Sequence, residues 1–125
     1  NGETPLIIAC LNGNENIVKY LVEYGADVDQ ESKWNEIPLI IASKIGNENI
    51  INILIEHGAD IDIKNKYGET PLMIACLNGN ENVVKCLIEN GAYAYEENEK
   101  YKTPLVIACE KGFENIVNYL IEMGA

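Results

Sequence analysis

Arginine is absent from this sequence, and its nine basic residues are all lysines. Twenty acidic residues outnumber them, so the formal net charge is -11. Recognition of phosphate needs clustered positive charge, and bidentate contacts to phosphate or guanine come mainly from arginine. The composition therefore argues against nucleic acid as a partner, and against an anionic membrane surface for the same reason. The acidity either keeps the protein in solution or favours a basic partner.

Long apolar runs are also missing. The longest, such as residues 37–42 and 50–55, fall well short of the roughly 18 residues that a membrane-spanning helix needs. The first residues contain no basic segment followed by an apolar one, so we expect no signal peptide in the sequence. Hydrophobic residues still make up 47% of the 125 residues, so the chain can bury a core of ordinary size as one domain.

Patterns typical of catalysis or metal binding are scarce. The single histidine, His57, precedes a glycine at a predicted helix end, where we expect it to face solvent. No C-x-x-C pair, glycine-rich phosphate loop or calcium loop occurs. Four aspartates are expected to make hydrogen bonds in turns instead: Asp27, Asp29, Asp60 and Asp62. We therefore predict no enzyme activity, no cofactor and no metal site.

One phrase occurs twice in the chain. Residues 2–17 read GETPLIIACLNGNENI, and residues 68–83 repeat these letters with two changes. A Pro-Leu pair recurs every 33 residues, and so does a Gly-Ala pair, with no insertion or deletion. All four prolines belong to this pattern: Pro5, Pro38, Pro71 and Pro104. The sequence therefore consists of four units of one repeat.

Each unit predicts two short helices. Thr-Pro begins the first helix, at residues 5 to about 12, because the hydroxyl accepts an unpaired N–H and proline fits the first helical position. Gly13 ends this helix, and apolar residues at amphipathic spacing predict a second one at about residues 15–24. Gly25 supplies the left-handed residue that ends the second helix, and polar turn residues follow.

A unit of this size cannot bury its apolar face alone, so it must stack on a copy of itself. The period, the Thr-Pro-Leu opening and the Gly-Ala-Asp ending resemble the ankyrin repeat family over the whole chain. The resemblance implies an all-α repeat solenoid, made of stacked helix-turn-helix units with β-hairpin loops. We expect one domain, with repeats at about residues 1–31, 32–64, 65–97 and 98–125. Neither end unit has a polar outer face, which predicts a segment of a longer array.

The chain departs from the family pattern at several positions. The histidine that usually follows Thr-Pro-Leu is apolar in every unit, so we expect apolar packing to replace its hydrogen bonds. Ile37 replaces the capping threonine of the second unit, a loss of about 1 kcal/mol. The turn glycine becomes Asn35 in the second unit and Tyr101 in the fourth. Because tyrosine tolerates a left-handed backbone poorly, the last turn is expected to be strained or reshaped.

Three of the four cysteines, Cys10, Cys76 and Cys109, share one position near the end of the first helix. We predict that all three face the core. Neighbouring repeats stack about 10 Å apart, whereas a disulfide needs Cα atoms within about 7 Å. The thiols are therefore expected to stay reduced, which points to the cytosol or the nucleus.

The resemblance implies that another protein binds the concave side, formed by the hairpin tips and the exposed face of the first helices. The four units differ at these positions, and the tip of the first unit includes Asn1. The predicted partner-binding residues at the other tips are Lys33, Trp34, Glu36, Lys66, Tyr67, Glu69, Lys100 and Lys102. Those on the first helices are Lys44, Ile45, Leu77, Asn78, Glu110 and Lys111.

Trp34 and Tyr67 occupy equivalent tip positions, and each follows a lysine and precedes a glutamate by two residues. Such aromatic residues either act as binding hot spots or pack along the hairpin and stiffen it. Lysines fall mainly on this side and acids on the second helices, so a partner segment with acids between apolar anchors would fit.

Three functions remain open at this point. The chain is an interaction module, a spacer within a long solenoid, or a regulatory arm of an enzyme or channel encoded elsewhere in a longer chain. We expect the segment to be a monomer.

Overall fold

The computed structural model describes residues 2–125, and this range contains eight α-helices and no β-strand. The first helices of the four repeats are α1 (Pro5–Leu11), α3 (Pro38–Ile45), α5 (Pro71–Asn78) and α7 (Pro104–Lys111). The second helices are α2 (Glu15–Glu23), α4 (Glu48–Glu56), α6 (Glu81–Glu89) and α8 (Glu114–Glu122). The predicted all-α repeat fold is confirmed, but the loops predicted as β-hairpins contain no strand in this range and close as tight turns instead.

The helices group into two compact units, Asn1–Asp60 and Ile61–Ala125, and each unit contains two repeats. In the first unit, α1 packs on α2 and α3, and α2 packs on α4. The second unit has the same arrangement, with α5 on α6 and α7, and α8 on α7 and α6. Within each unit, one repeat therefore stacks on its neighbour and buries the apolar face that it could not bury alone.

Threonine caps three of the four first helices. The backbone N–H of Ile7 donates to Thr4 Oγ1 at 3.1 Å, and the third and fourth repeats repeat this bond with Thr70 and Thr103. Ile37 makes no such bond, so the predicted loss of a cap is confirmed. The Ile37 side chain is only 1% exposed, however, and burial of a large aliphatic side chain contributes roughly 1.5–3 kcal/mol. Apolar burial therefore offsets the missing cap.

Asparagine caps the second helices of the first three repeats. The side chains of Asn14, Asn47 and Asn80 each accept the N–H of the residue three positions on. Phe113 takes this position in the fourth repeat and makes no side-chain cap. Its ring lies so close to Gly79 that a Cβ built on that glycine would be 2.7 Å away. The fourth repeat therefore lacks the capping hydrogen bond at this position and has an apolar contact with Gly79 of the third repeat instead.

Two of the three equivalent cysteines face the core, and the third does not. Cys10 and Cys76 are buried, and burial raises the pKa of each thiol to about 12. Cys109 is exposed, so the prediction that it faces the core is wrong. This position faces the following repeat in the stack, which covers Cys10 and Cys76 within their units. All four cysteines are free thiols.

The loops between repeats close as tight turns. The N–H of Ser32 donates to the Glu36 carbonyl at 2.9 Å, and the N–H of Asn35 donates to the Ser32 carbonyl at 3.0 Å. The third and fourth repeats form the same two bonds. Asn35 and Tyr101 take left-handed backbones, with φ values of 61° and 60°. The last turn therefore keeps the same shape as the others, and Tyr101 takes the unfavourable left-handed conformation.

Replacing Tyr101 by glycine is expected to raise the free energy of unfolding by about 1 kcal/mol. A left-handed backbone costs a residue with a Cβ roughly 1–2 kcal/mol, and the greater freedom of glycine in the unfolded chain offsets part of that gain. The Tyr101 side chain is 82% exposed, so its removal gives up little packing. Urea unfolding measures the change. Tyr101→Ala keeps the Cβ and is the control; equal stability of the two variants would contradict the prediction.

Two glycines that end first helices should respond differently to alanine. Gly79 and Gly112 have nearly equal φ values, 73° and 74°, so both substitutions cost roughly 1–2 kcal/mol for the backbone. The added Cβ would collide with Phe113 at Gly79 and meet nothing within 4 Å at Gly112. Gly79→Ala is therefore expected to lower the free energy of unfolding by about 1 kcal/mol more than Gly112→Ala does. This difference is at the lower end of the cost of overpacking a core.

A double-mutant cycle with Phe113→Ala identifies the source of this excess. In the Phe113→Ala background, Gly79→Ala should lower the free energy of unfolding no more than Gly112→Ala does, as measured by urea unfolding. An excess that persists in the Phe113→Ala background would show that the ring is not its cause.

Candidate functional site

The turn of the second repeat holds Trp34 toward solvent. The Ser32 hydroxyl accepts the N–H groups of Trp34 at 3.1 Å and Glu36 at 3.2 Å, which fixes the backbone on both sides of the tip. The Trp34 side chain is 53% exposed, and Lys33 Nζ lies 4.8 Å from its ring centroid. More than half of the only tryptophan is therefore open to contact, and a lysine ammonium lies over its ring.

The other predicted residues of the first unit differ in their surroundings. Glu36 is half-buried and accepts a hydrogen bond from the Ser32 hydroxyl at 3.3 Å, so its carboxylate supports the turn. Lys44 and Ile45 are exposed in the last turn of α3, and Ile45 is 49% exposed. Asn1 lies outside the described residues.

The second unit contains a groove of about 530 Å³ between the turns and the first helices of its two repeats. The groove brings together seven of the predicted residues: Tyr67, Glu69, Leu77, Lys100, Lys102, Glu110 and Lys111. Two others lie outside it. Asn78 is exposed in the last turn of α5, and Lys66 Nζ lies 5.3 Å from the Tyr67 ring centroid.

Backbone and side-chain hydrogen bonds hold the walls of this groove. The N–H of Glu99 donates to the Tyr67 carbonyl at 3.1 Å, which ties the turn of the fourth repeat to that of the third. Glu69 accepts from Asn65 Nδ2 at 2.9 Å and so supports its own turn, as Glu36 does in the first unit. The 55% exposed Tyr67 ring therefore projects from a fixed backbone.

The groove contains equal numbers of basic and acidic side chains, but only one of its lysines forms an ion pair. The groove is lined by three lysines and three glutamates, whereas the whole chain carries -11. Lys102 Nζ pairs with Glu110 Oε1 at 2.8 Å. Lys100 and Lys111 make no ion pair with any residue in the range 2–125. Two ammonium groups therefore remain unpaired beside the apolar side chains of Leu77 and Tyr67.

Three lining residues were not predicted from the sequence: Asn98, Glu99 and Ile107. Asn98 Oδ1 accepts the backbone N–H groups of Lys100 at 2.8 Å and Lys102 at 3.1 Å, so it fixes the backbone at both lysines. Its equivalence to Ser32, 66 residues earlier in the repeat register, was the signal that could have revealed it. Ile107 is only 2% exposed and forms part of the floor.

Two of the aspartates and the histidine make hydrogen bonds to backbone groups. Asp29 accepts the N–H of Asp60 and Asp62 accepts that of Tyr93, each across one repeat, as predicted for turn aspartates. Burial raises the pKa of the Asp29 carboxyl, because it leaves the charge partly desolvated. His57 is exposed at the end of α4, with Nδ1 2.8 Å from the Ile53 carbonyl, which confirms its predicted place.

Two other kinds of site are absent from residues 2–125. No three or more histidine, cysteine or acidic side chains in this range cluster so that they could hold a metal ion. No helix there has both the length and the apolar character needed to cross a bilayer.

Comparison with protein-family models gives one result that spans the chain. A model described as ankyrin repeats, three copies, matches residues 1–65 and again residues 39–125. The comparison with curated proteins gives no match. Ankyrin repeats are generally protein–protein interaction modules, and the family is typically non-enzymatic. The family match covers the same residues that form the eight helices and that follow the 33-residue repeat. The chain therefore belongs to the ankyrin repeat family.

Proposed function

We propose that this chain binds a partner protein through its hairpin turns and the exposed ends of its first helices. The observation that carries the proposal is the groove of the second unit, where seven of the partner-binding residues expected from the ankyrin resemblance line one cavity. In the first unit, the exposed Trp34 ring and Ile45 offer apolar contact area on the same elements of the repeat. Exposed aromatic rings on a fixed backbone are typical binding hot spots.

The groove favours a partner segment that carries an acidic residue between apolar ones. Tyr67, Leu77 and Ile107 supply apolar surface, and Lys100 and Lys111 supply unpaired positive charge within the same cavity. Acidic side chains attract such lysines during the encounter, while apolar anchors slow dissociation. The remaining surface is strongly acidic and would repel the same segment from other sites.

Two expectations accompany this proposal. The chain acts as a binding module without cofactor, metal or chemistry of its own. It works in the cytosol or the nucleus, where thiols stay reduced. The four free thiols support this, because the fold contains no disulfide.

The near-identity of residues 2–17 and 68–83 favours a second candidate, a spacer without a partner of its own. Copies so similar have had little divergence in which to acquire different contacts. The binding experiment below separates the spacer from the binding module.

Selection of peptides from a random displayed library against the immobilised chain tests the proposal. Selected peptides are expected to lose affinity at least about tenfold with Trp34→Ala or Tyr67→Ala, because truncation of a hot-spot aromatic costs about 1.4 kcal/mol or more. Fluorescence anisotropy of labelled peptides measures the Kd. Tyr24→Ala is the matched control, since Tyr24 is 76% exposed but caps the C-terminal end of α2 and belongs to neither of the turns that carry Trp34 and Tyr67.

Two outcomes would count against the binding module. Equal affinity for all three variants would place the contact elsewhere on the chain. A library that yields no binder, with a folded and correctly displayed chain, would favour the spacer.

Lys100→Glu is expected to weaken the selected peptides severalfold, chiefly through slower association, and to lessen the effect of added salt. Lys19→Glu changes the net charge by the same amount but lies on α2, so it controls for the charge of the whole molecule. Stopped-flow association rates at low and moderate salt provide the measurement. If both variants slow association equally, the total charge rather than the groove attracts the partner.

A further inference from the structure

Lys102 occupies a turn position that is acidic in the other three repeats. Its equivalents at intervals of 33 residues are Glu3, Glu36 and Glu69. Glu36 and Glu69 each accept a hydrogen bond from the side chain four residues earlier, at 3.3 and 2.9 Å, and so support their own turns. An ammonium group has no lone pair with which to accept such a bond. The Lys102 side chain therefore does not support its turn in the way that glutamate does.

A carboxylate on α7 pairs with this lysine. Lys102 Nζ donates to Glu110 Oε1 at 2.8 Å, and both side chains line the groove. The equivalents of Glu110 in the other repeats are Leu11, Lys44 and Leu77, so a carboxylate occurs at this position only where the turn carries a lysine. The Lys102 and Glu110 side chains are 35% and 51% exposed, and ion pairs at exposed sites contribute little to stability. Little free energy is therefore needed to separate them.

We propose that Lys102 is the point at which the groove binds the acidic residue of the partner segment, and that Glu110 is a built-in competitor for it. The inference rests on the proposed function and names where the partner's carboxylate binds. That carboxylate takes the place of Glu110 Oε1 on Lys102 Nζ, and the Glu110 side chain turns further into solvent. Lys100 and Lys111, which form no ion pair within residues 2–125, attract the partner before this exchange.

A competitor of this kind makes the groove selective in a particular way. After the exchange, Glu110 stays near the bound carboxylate, and the two like charges repel each other. Acidic segments are therefore bound more weakly than the three lysines of the groove alone would bind them. A segment with an amide in place of the acid does not displace Glu110 and is not repelled by it. Removal of the Glu110 charge should consequently favour acidic segments only.

Two matched peptide libraries displayed against the 125-residue chain provide the probes. Each places apolar residues around a fixed centre, which is glutamate in one library and glutamine in the other. Selected peptides are then measured as pairs that differ only at the centre, by fluorescence anisotropy. Glu110→Gln is expected to lower the Kd of the glutamate peptides roughly two- to fivefold, the range that an exposed ion pair is worth, and to leave the Kd of the glutamine peptides unchanged.

Glu99→Gln is the matched control. Glu99 also lines the groove and is exposed, but its carboxylate forms no ion pair in the range 2–125. The change therefore removes the same charge without releasing a lysine, and it should strengthen the glutamate peptides less than Glu110→Gln does. In a Lys102→Gln background, the gain from Glu110→Gln should shrink to the gain from Glu99→Gln. Circular dichroism checks that each variant folds.

Two results would overturn the inference while leaving the proposed function in place. Equal gains from Glu110→Gln and Glu99→Gln would show that the total charge of the groove, and not Lys102, sets the affinity. An undiminished gain from Glu110→Gln in the Lys102→Gln background would show that Glu110 competes for another group. If neither library yields a peptide that binds the folded chain, the proposed function fails, and this inference fails with it.

Discussion

Burial between neighbouring repeats is the constraint on which this structure depends. A pair of helices of at most nine residues has too little interior of its own, so Ile7 and Val18 become buried only when the second repeat packs on the first. The spacing of the repeats follows from this packing. Alanines at one position of the first helices, such as Ala42, Ala75 and Ala108, are 0% exposed where helices come close. A larger side chain there would separate the helices and lose contacts on both sides.

Polar contacts between repeats fix the register of this stacking. Apolar packing alone would tolerate small rotations of one repeat on the next, because it is non-directional. The Glu15 carboxylate, by contrast, accepts from Asn47 and Asn49 of the following repeat at 3.3 and 3.1 Å. At the other end of the repeat, Asp29 accepts the backbone N–H of Asp60. These bonds lie at the start of α2 and in the loop after it, so together they restrict rotation as well as translation.

The sequence predicts most of what lies within one repeat and less of what lies between repeats. Helix bounds, threonine caps and left-handed glycines depend on local chemistry, and the structure confirms them. The exposure of Cys109 and the burial of Ile37 depend on which neighbour covers the position, and a repeat register assigns the same environment to every copy. Phe113 was missed because its partner, Gly79, lies in another repeat. The lining residues Asn98 and Ile107 were missed for a similar reason, since their chemistry looks purely structural.

In each turn the backbone keeps one shape, while the side chain at the tip is free to vary. Ser32, Asn65 and Asn98 each use one oxygen to accept two backbone N–H groups, at distances of 2.8 to 3.2 Å. The backbone of the tip is therefore held by a residue inside the turn, whatever side chain the tip carries. Trp34, Tyr67 and Lys100 can consequently differ without a change in the backbone. Side chains on a backbone already fixed lose less entropy when a partner binds, which is why a variable tip on a rigid repeat suits recognition.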